Sequence, residues 1–227
     1  MMRSPVLLVL LFGSAASLRA DDPLPGLAQS RFVAEGEIIA PTGLSVSPQG
    51  VVFVSCDPNG ITREKTGVGK VVRCEDTDGD GVADKFSNFV EGIDSPRGSC
   101  FVGNTLYLMQ APFLVAYRDR DGDGGADEKA VLVTGLGQPL DALPVNHGPN
   151  GIRMGIDGWL YIAVGDFGME ATKGTDGRVV TLHGGGVARV RPDGTELEVY
   201  SYNTRNICDV AISPYLDLFT RDNTNDG

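Results

Sequence analysis

Histidine, tryptophan, cysteine and positive charge are all in short supply. The 227 residues include two His, one Trp and four Cys, with 19 basic side chains against 30 acidic ones. Each shortage excludes something. A formal net charge of −11 argues against a nucleic-acid partner or an anionic membrane surface, because affinity for phosphates needs clustered Lys and Arg. Cys56, Cys74, Cys100 and Cys208 form no C-x-x-C and match no zinc or haem spacing. Long apolar runs are missing too: Val6–Phe12 spans seven residues, well short of the roughly 20 that a membrane helix needs. What is abundant is chain punctuation. With 31 Gly and 13 Pro there is little room for long helices, and an all-β, turn-rich architecture is expected. The hydrophobic fraction of 41% is enough for a packed core.

The N-terminus has the order of a secretory leader, with Arg3, the apolar run, and then the small residues Gly13, Ser14, Ala15, Ala16 and Ser17. Residues 1–20 are therefore expected to be a cleaved signal peptide and 21–36 an N-terminal linker, with the product periplasmic or secreted. Cleavage would remove Arg3 and Arg19 and no acid, taking the charge from −11 to −13. The cysteines would then meet an oxidising compartment. A link between Cys56 and Cys74 within one hairpin and free buried thiols both remain open.

Comparison of the sequence with itself is the most informative step. Val72–Pro96 matches Val115–Pro139 without gaps at an offset of 43, with Asp76, Asp78, Gly79, Asp80, Gly81, Ala83, Asp84, Val90, Gly92 and Pro96 on identical residues. A fainter repeat is a tight turn followed by a short alternating apolar strand: Gln49-Gly50 before Val51–Val54, Gly103-Asn104 before Leu106–Met109, Asp157-Gly158 before Trp159–Ile162, and Pro214-Tyr215 before Leu216–Phe219. An extended segment precedes each turn, so each reads as a β-hairpin. Short strands recurring every 50-odd residues describe β-propeller blades. Blades are expected at about 37–97, 98–150 and 151–206, with an incomplete one at 207–227. That is about three and a half blades over 37–227, and it suggests a piece of a longer gene product.

The 43-residue repeat carries two loops of a metal-binding kind. Asp76, Asp78, Asp80 and Asp84, and likewise Asp119, Asp121, Asp123 and Asp127, stand at positions 1, 3, 5 and 9 around a bend-permitting glycine. The carbonyl of Val82 or Gly125 at position 7 could complete an all-oxygen shell, which suits calcium, a hard cation. The bland alternative is a pair of solvated acidic turns. Four like charges within nine residues repel unless a cation is present, so calcium is preferred. No base or nucleophile lies in the loops, which makes the expected role structural. Glu75–Asp84 and Asp119–Glu128 hold ten of the thirty acids, a third of the negative charge.

Imidazole chemistry has few candidates. His147 lies in Asn146-His147-Gly148-Pro149-Asn150-Gly151, a polar loop leading into a strand, and Asp166 follows the next strand in Val164-Gly165-Asp166-Phe167-Gly168. Two such loops can meet at one end of a blade, where the carboxylate would orient the imidazole as a general base. His147 as a hydrogen-bonded turn residue is the plainer alternative. His183, in Thr181–Gly186, has less to support it.

The stretch HGPNGIRMGIDGWLYIAVGDFG, with Arg205-Asn206 further on, resembles the central blades of the glucose/sorbosone dehydrogenases. These are six-bladed propellers that use pyrroloquinoline quinone (PQQ) and calcium. The aspartate loops and the ending FTRDNTNDG resemble more specifically the N-terminal propeller of the large exported membrane-bound dehydrogenase proteins of planctomycetes and verrucomicrobia (PVC type). Many of those continue into a helical repeat and a C-x-x-C-H haem domain, a downstream electron acceptor. The resemblance implies that His147 takes the substrate hydroxyl proton while hydride passes to the quinone, and that Asp166 orients His147. It also implies that Arg205 and Asn206 contact the cofactor's polar edge, and that Asp222 and Asn223 lie where related enzymes offer oxygens to a further calcium. One departure is Arg205-Asn206-Ile207 in place of the family's Arg-Asn-Pro.

Two functions from different classes follow. One is oxidation of a sugar or related alcohol; the other is a non-catalytic, calcium-stiffened propeller that binds carbohydrate or acts as a scaffold. A propeller hydrolase shares the fold but has no residue in its favour.

Overall fold

The computed structural model describes residues 28–60, 62, 65–138 and 147–223. The expected leader at 1–20, the first part of the linker and the last four residues lie outside them. The described residues carry sixteen strands and no helix. The first sheet is β1 (Pro41–Val46), β2 (Val52–Cys56), β3 (Gly69–Glu75) and β4 (Lys85–Ile93), in that spatial order. Next come β5 (Pro96–Val102), β6 (Thr105–Gln110), β7 (Phe113–Arg118) and β8 (Glu128–Thr134), again side by side. The third sheet has β9 (Pro149–Met154), β10 (Leu160–Val164), β13 (Gly185–Val190) and β14 (Glu198–Thr204). The intervening hairpin, β11 (Met169–Gly174) and β12 (Val179–Leu182), leaves that sheet and pairs through β11 with β8, extending the second to six strands. A last hairpin joins β15 (Val210–Ile212) and β16 (Leu218–Thr220). All pairings are antiparallel.

Each of the four turn-and-strand repeats is a hairpin, β1–β2, β5–β6, β9–β10 and β15–β16. Within 151–206, the segment 169–182 pairs with the neighbouring sheet. The order of the hairpins gives no sign of this. It is decided by the rungs Lys173↔Thr134 and Gly174↔Val133, which join residues about 40 apart.

The sheets stack face to face, and strand alternation distributes the core. Leu106 and Leu108 of β6 face the first sheet and pack with Phe53, Val71 and Phe89. Their neighbours Tyr107 and Met109 face the third sheet and pack with Leu160, Ile162 and Val190. On β10 the other parity, Tyr161 and Ala163, packs with Trp159, Ile207 and Val210 toward the last hairpin. Strands β2, β6 and β10 are consequently buried along their whole length. The expected alternation therefore does not divide a core face from a solvent face here, because neighbouring sheets cover both faces. Each large side chain so buried contributes about 1.5–3 kcal/mol.

The innermost strands approach at a recurring glycine. A Cβ on Gly43 would meet the Arg97 carbonyl oxygen at 2.6 Å, one on Gly98 the Asn150 carbonyl oxygen at 2.6 Å, and one on Gly151 the Asp209 Cα at 2.7 Å. The three glycines sit in equivalent inner strands, where the β1, β5 and β9 pairings each break register. Ser45 and Ser99, 54 positions apart, hydrogen-bond at 3.1 Å across the same seam.

Part of the expected linker is not free. Phe32 and Val33 within it, with Ile38 just after it, pack on the face of the first sheet formed by Val52, Val54, Cys56, Val72 and Cys74. The Phe32 carbonyl accepts the Ala83 N–H at 2.7 Å, as the Phe89 carbonyl accepts the Ala126 N–H at 2.7 Å one repeat later. Phe32 thus stands where a preceding sheet would place its outer strand.

All four cysteines are free thiols. The open possibility of a Cys56–Cys74 link fails on register, since Cys56 lies opposite Lys70 and Cys74 opposite Val52. Four residues of offset at ~3.3 Å each is about 13 Å, too far for a bridge, which needs Cα atoms within about 7 Å. Burial, with a smaller contribution from the Cys56 thiol, pushes the Cys74 thiol up to about 12, so it stays protonated and unreactive at neutral pH.

The glycine seam yields a test. Gly98→Ala is expected to cost about 1–3 kcal/mol through overpacking, read as a lower urea midpoint with the m-value unchanged.

Candidate functional site

The two aspartate loops are the outer turns β3–β4 and β7–β8, and their internal bonding is the same. Asp76 accepts the N–H of Gly79 at 2.7 Å and of Gly81 at 2.9 Å, and Asp119 accepts Gly122 and Gly124 at the same two distances. The N–H of Gly81 chiefly, opposed by desolvation and helped by Gly79, holds the Asp76 carboxyl below its ordinary range. Gly79, Gly81, Gly122 and Gly124 have φ of 80°, 93°, 81° and 94°, a conformation that favours glycine. At the loop base the cross-strand pair is Glu75↔Lys85 in one repeat and Arg118↔Glu128 in the other. The charges are exchanged and the ion pair is kept, at 3.0 and 2.5 Å. Glu75 and Glu128 thus close the hairpins rather than facing the loop interior.

Carboxylate oxygens of Asp76, Asp78 and Asp80 lie within 4.8 Å of one another, as do those of Asp119, Asp121 and Asp127. Either group could hold a metal ion. Asp84 binds the N–H and hydroxyl of Thr77 at 3.1 and 2.9 Å, and Asp123 accepts the N–H of Gly125 at 2.8 Å. Val82 is 40% exposed at its loop tip. The loops also touch their neighbours: the Arg73 guanidinium of the first sheet lies against Gly124.

The second site lies where the segment entering β9 meets the turn leaving β10. The Phe167 N–H donates to the His147 carbonyl at 3.1 Å and the Gly165 N–H to the Gly148 carbonyl at 3.3 Å, so the two loops are joined through their backbones. His147 Nδ1 pairs with Asp166 Oδ1. With Nδ1–H donated to the carboxylate, Nε2 presents its lone pair, the arrangement of an oriented general base. The Phe167 ring stacks on the imidazole at 5.1 Å between centroids and 27° between planes. The other Asp166 oxygen faces Arg205 Nε at 3.8 Å. Asn206 is 8% exposed and reaches into the space left by Gly165, where a Cβ would lie 2.6 Å from its Oδ1.

Arg205 and Asn206 are held from behind by Asp222. Its carboxylate accepts the Arg205 N–H at 2.9 Å, the Asn206 N–H at 3.1 Å and the Asn223 N–H at 2.8 Å. Arg205 Nη1 donates to the Asn223 carbonyl at 2.9 Å. The structure therefore brings together His147, Asp166, Arg205, Asn206, Asp222 and Asn223, while His183 is exposed on the turn after β12. Ile207, the departure from the family pattern, is fully buried with Trp159 and Tyr161, which gives that position an apolar packing task. Asn206, Asp222 and Asn223 line a cavity of about 660 Å³, with Arg221 also on its wall.

Sequence spacing did not reveal Phe167 as a partner of His147, or Arg205 as a partner of Asp166. Nor did it show a second carboxylate–arginine tie, Asp57 to Arg97 at 3.6 Å, with side chains 1% and 12% exposed. Asp57 follows β2 much as Asp166 follows β10, so a signal existed, although no imidazole accompanies it.

These sheets and seams define a β-propeller. The chain belongs to the family described as "Domain of unknown function (DUF7133)", which matches residues 16–227. No curated protein matches it. Similar solved structures include the PQQ-bound form of an aldose sugar dehydrogenase from Streptomyces coelicolor, at TM-score 0.58 and 20% identity, covering 84% of this chain and 58% of that one. A gluconolactonase from Xanthomonas campestris gives 0.53 and 19%, covering 80% and 54%. The calcium-binding protein regucalcin from Agrobacterium tumefaciens gives 0.53 and 17%, covering 82% and 55%. At these identities the likeness is one of fold, and the chain spans little more than half the length of each. No helix among the described residues is long and apolar enough to cross a membrane.

The His147 geometry is open to direct observation. With only two histidines, nitrogen-detected NMR is expected to show His147 as the Nδ1–H tautomer, and Asp166→Ala to abolish that preference without shifting the His183 signals.

Proposed function

We propose that the chain forms part of an exported propeller dehydrogenase that oxidises a sugar or related alcohol with PQQ. The observation that carries this reading is the oriented His147–Asp166 pair, joined at Gly165 to Asn206, which together with Arg221 lines a cavity. On this wall Arg221 and the Asn206 amide offer donors to a carboxylate-bearing planar quinone, and the negative charge of Asp209 and Asp222 would be offset by a calcium held with the cofactor. A volume of about 660 Å³ falls within the roughly 300–1,000 Å³ usual for small-molecule sites. When bound, the quinone supplies the hydride acceptor.

The chain's own residues do the rest. His147 Nε2 takes the proton of the substrate hydroxyl as its carbon becomes a carbonyl. Asp166 stabilises the imidazolium that forms, and Phe167 covers one imidazole face against water. Asp222, through its three backbone bonds, fixes the Arg205-Asn206 turn. The Asn223 carbonyl is engaged by Arg205, and a calcium beside the cofactor would draw on the remaining oxygens of that turn.

The aspartate loops are read as two structural calcium sites that stiffen the outer hairpins. Six blades in the full protein, the PVC-type assignment and a downstream haem acceptor belong to the same reading. A second reading, a non-catalytic calcium-stiffened module that binds carbohydrate or acts as a scaffold, is favoured by the Asp57–Arg97 tie. The same carboxylate–arginine contact occurs there without a histidine, so Asp166–Arg205 has a structural use of its own.

Two outcomes are expected. Without quinone, calorimetry should count two Ca²⁺ per chain, and EDTA should lower the Tm by several degrees per site, since a ligand at 100 times its Kd contributes about 2.7 kcal/mol; an unchanged melt would remove the calcium assignment. The full-length protein with PQQ and Ca²⁺ should reduce a dye with aldoses or polyols, and His147→Ala should lower that rate by about 10²–10⁴-fold while quinone uptake persists. Sugar binding that is unaffected by His147→Ala, in a full-length protein that takes up no quinone, would establish the second reading instead.

A further inference from the structure

A separate cavity of about 350 Å³ adjoins the site, lined by Pro112, Gly135, Gly137, Gln138, Phe167, Met169 and Glu170. Neither His147 nor Asp166 lines it; Phe167 borders both. Its frame is fixed by backbone and side-chain bonds. The Leu136 N–H donates to the Pro112 carbonyl at 2.9 Å, and the Thr172 hydroxyl to the Gly135 carbonyl at 2.7 Å. Met169 forms a fully buried floor, while Phe167 is 37% exposed.

The wall that carries Glu170 is irregular. In the β11–β12 ladder Met169 pairs with Leu182 and Thr172 with Val180, so Glu170 and Ala171 together oppose Thr181. This is a β-bulge, and Ala171 holds it at φ 50°, a left-handed conformation that costs a non-glycine residue about 1–2 kcal/mol. Bulges next to sites re-aim side chains, and strained backbone persists where the surroundings enforce it. Here the bulge places Glu170 on the cavity wall. Among the described residues its carboxylate forms no hydrogen bond or ion pair.

We infer that this cavity is an accessory sugar subsite, and that the substrate class is a disaccharide or longer glycan rather than a free monosaccharide. The inference rests on the sugar-handling reading of the His147 end. An aromatic face suits the C–H face of a pyranose, and a free carboxylate and an amide accept from and donate to its hydroxyls. A ring lodged against Phe167, Gln138 and Glu170 does not itself meet the imidazole, because His147 lies outside the lining of this cavity and is stacked on Phe167. The hydroxyl that reaches Nε2 therefore belongs to the neighbouring ring of the same molecule.

The test is calorimetric titration of the chain, without quinone, with glucose, cellobiose, maltose and maltotriose. A disaccharide or trisaccharide is expected to bind at least fivefold more tightly than glucose. Glu170→Gln and Phe167→Ala are each expected to weaken that binding at least fivefold, with the His183 NMR signals confirming an intact fold. Equal affinity for glucose and the longer sugars, or binding indifferent to Glu170→Gln, overturns the subsite. Absence of all sugar binding overturns it as well. Quinone uptake, measured separately by absorbance, decides the dehydrogenase reading independently: sugar binding that depends on Glu170 in a chain that takes up no quinone upholds the subsite and removes the dehydrogenase.

Discussion

Close approach of the innermost strands at Gly43, Gly98 and Gly151 is the constraint on which the other contacts depend. A carbonyl oxygen or Cα of the adjoining strand stands about 2.6–2.7 Å from where each Cβ would be, so only glycine lets neighbouring sheets converge there. Convergence at the inner strands allows Leu106 and Leu108 to meet Phe53, and Tyr107 and Met109 to meet Ile162, farther out. It also brings loops from separate repeats to one end of the stack. Without it the segment entering β9 and the turn leaving β10 would have no fixed relation to Arg205, which precedes the next inner strand.

The site is built largely from backbone. Phe167 and Gly165 donate to the carbonyls of His147 and Gly148, and Asp222 gathers the amides of Arg205, Asn206 and Asn223. The side-chain chemistry is thin by comparison: one imidazole, one carboxylate and one guanidinium. A half-buried pair of that kind adds modestly to stability, and its position is set by the loops. The strained Ala171 shows the same economy, since a single bulge re-aims Glu170 beside a buried Met169.

Charge is divided by location. Eight of the acids that dominate the sequence are loop aspartates at the outer rim, while Glu75 and Glu128 pair with Lys85 and Arg118 at the loop bases. Exchange of acid and base between the two repeats preserves the pair, as expected when an opposite-charge cross-strand contact is what matters, at about 0.2–1 kcal/mol. The tips of these loops face solvent, whereas Ala83 and Ala126 behind them bond to the Phe32 and Phe89 carbonyls. The outer hairpins therefore also join one sheet to the element before it.

The sequence by itself determined the hairpins, the two aspartate loops and the apolar central strands. All of these are local: a turn glycine, alternating carboxylates or a run of apolar residues has its effect within about ten positions. His147 and Asp166, 19 apart and in loops flanking one hairpin, were legible for the same reason. Other features were decided only by the tertiary structure. The β11–β12 hairpin joins the second sheet, Phe32 packs under the first loop, Cys56 and Cys74 stay apart, and Phe167 and Arg205 complete the His147 site. Each depends on register or on packing between residues tens of positions apart, where a shift of one rung changes the partner and leaves the local pattern unaltered.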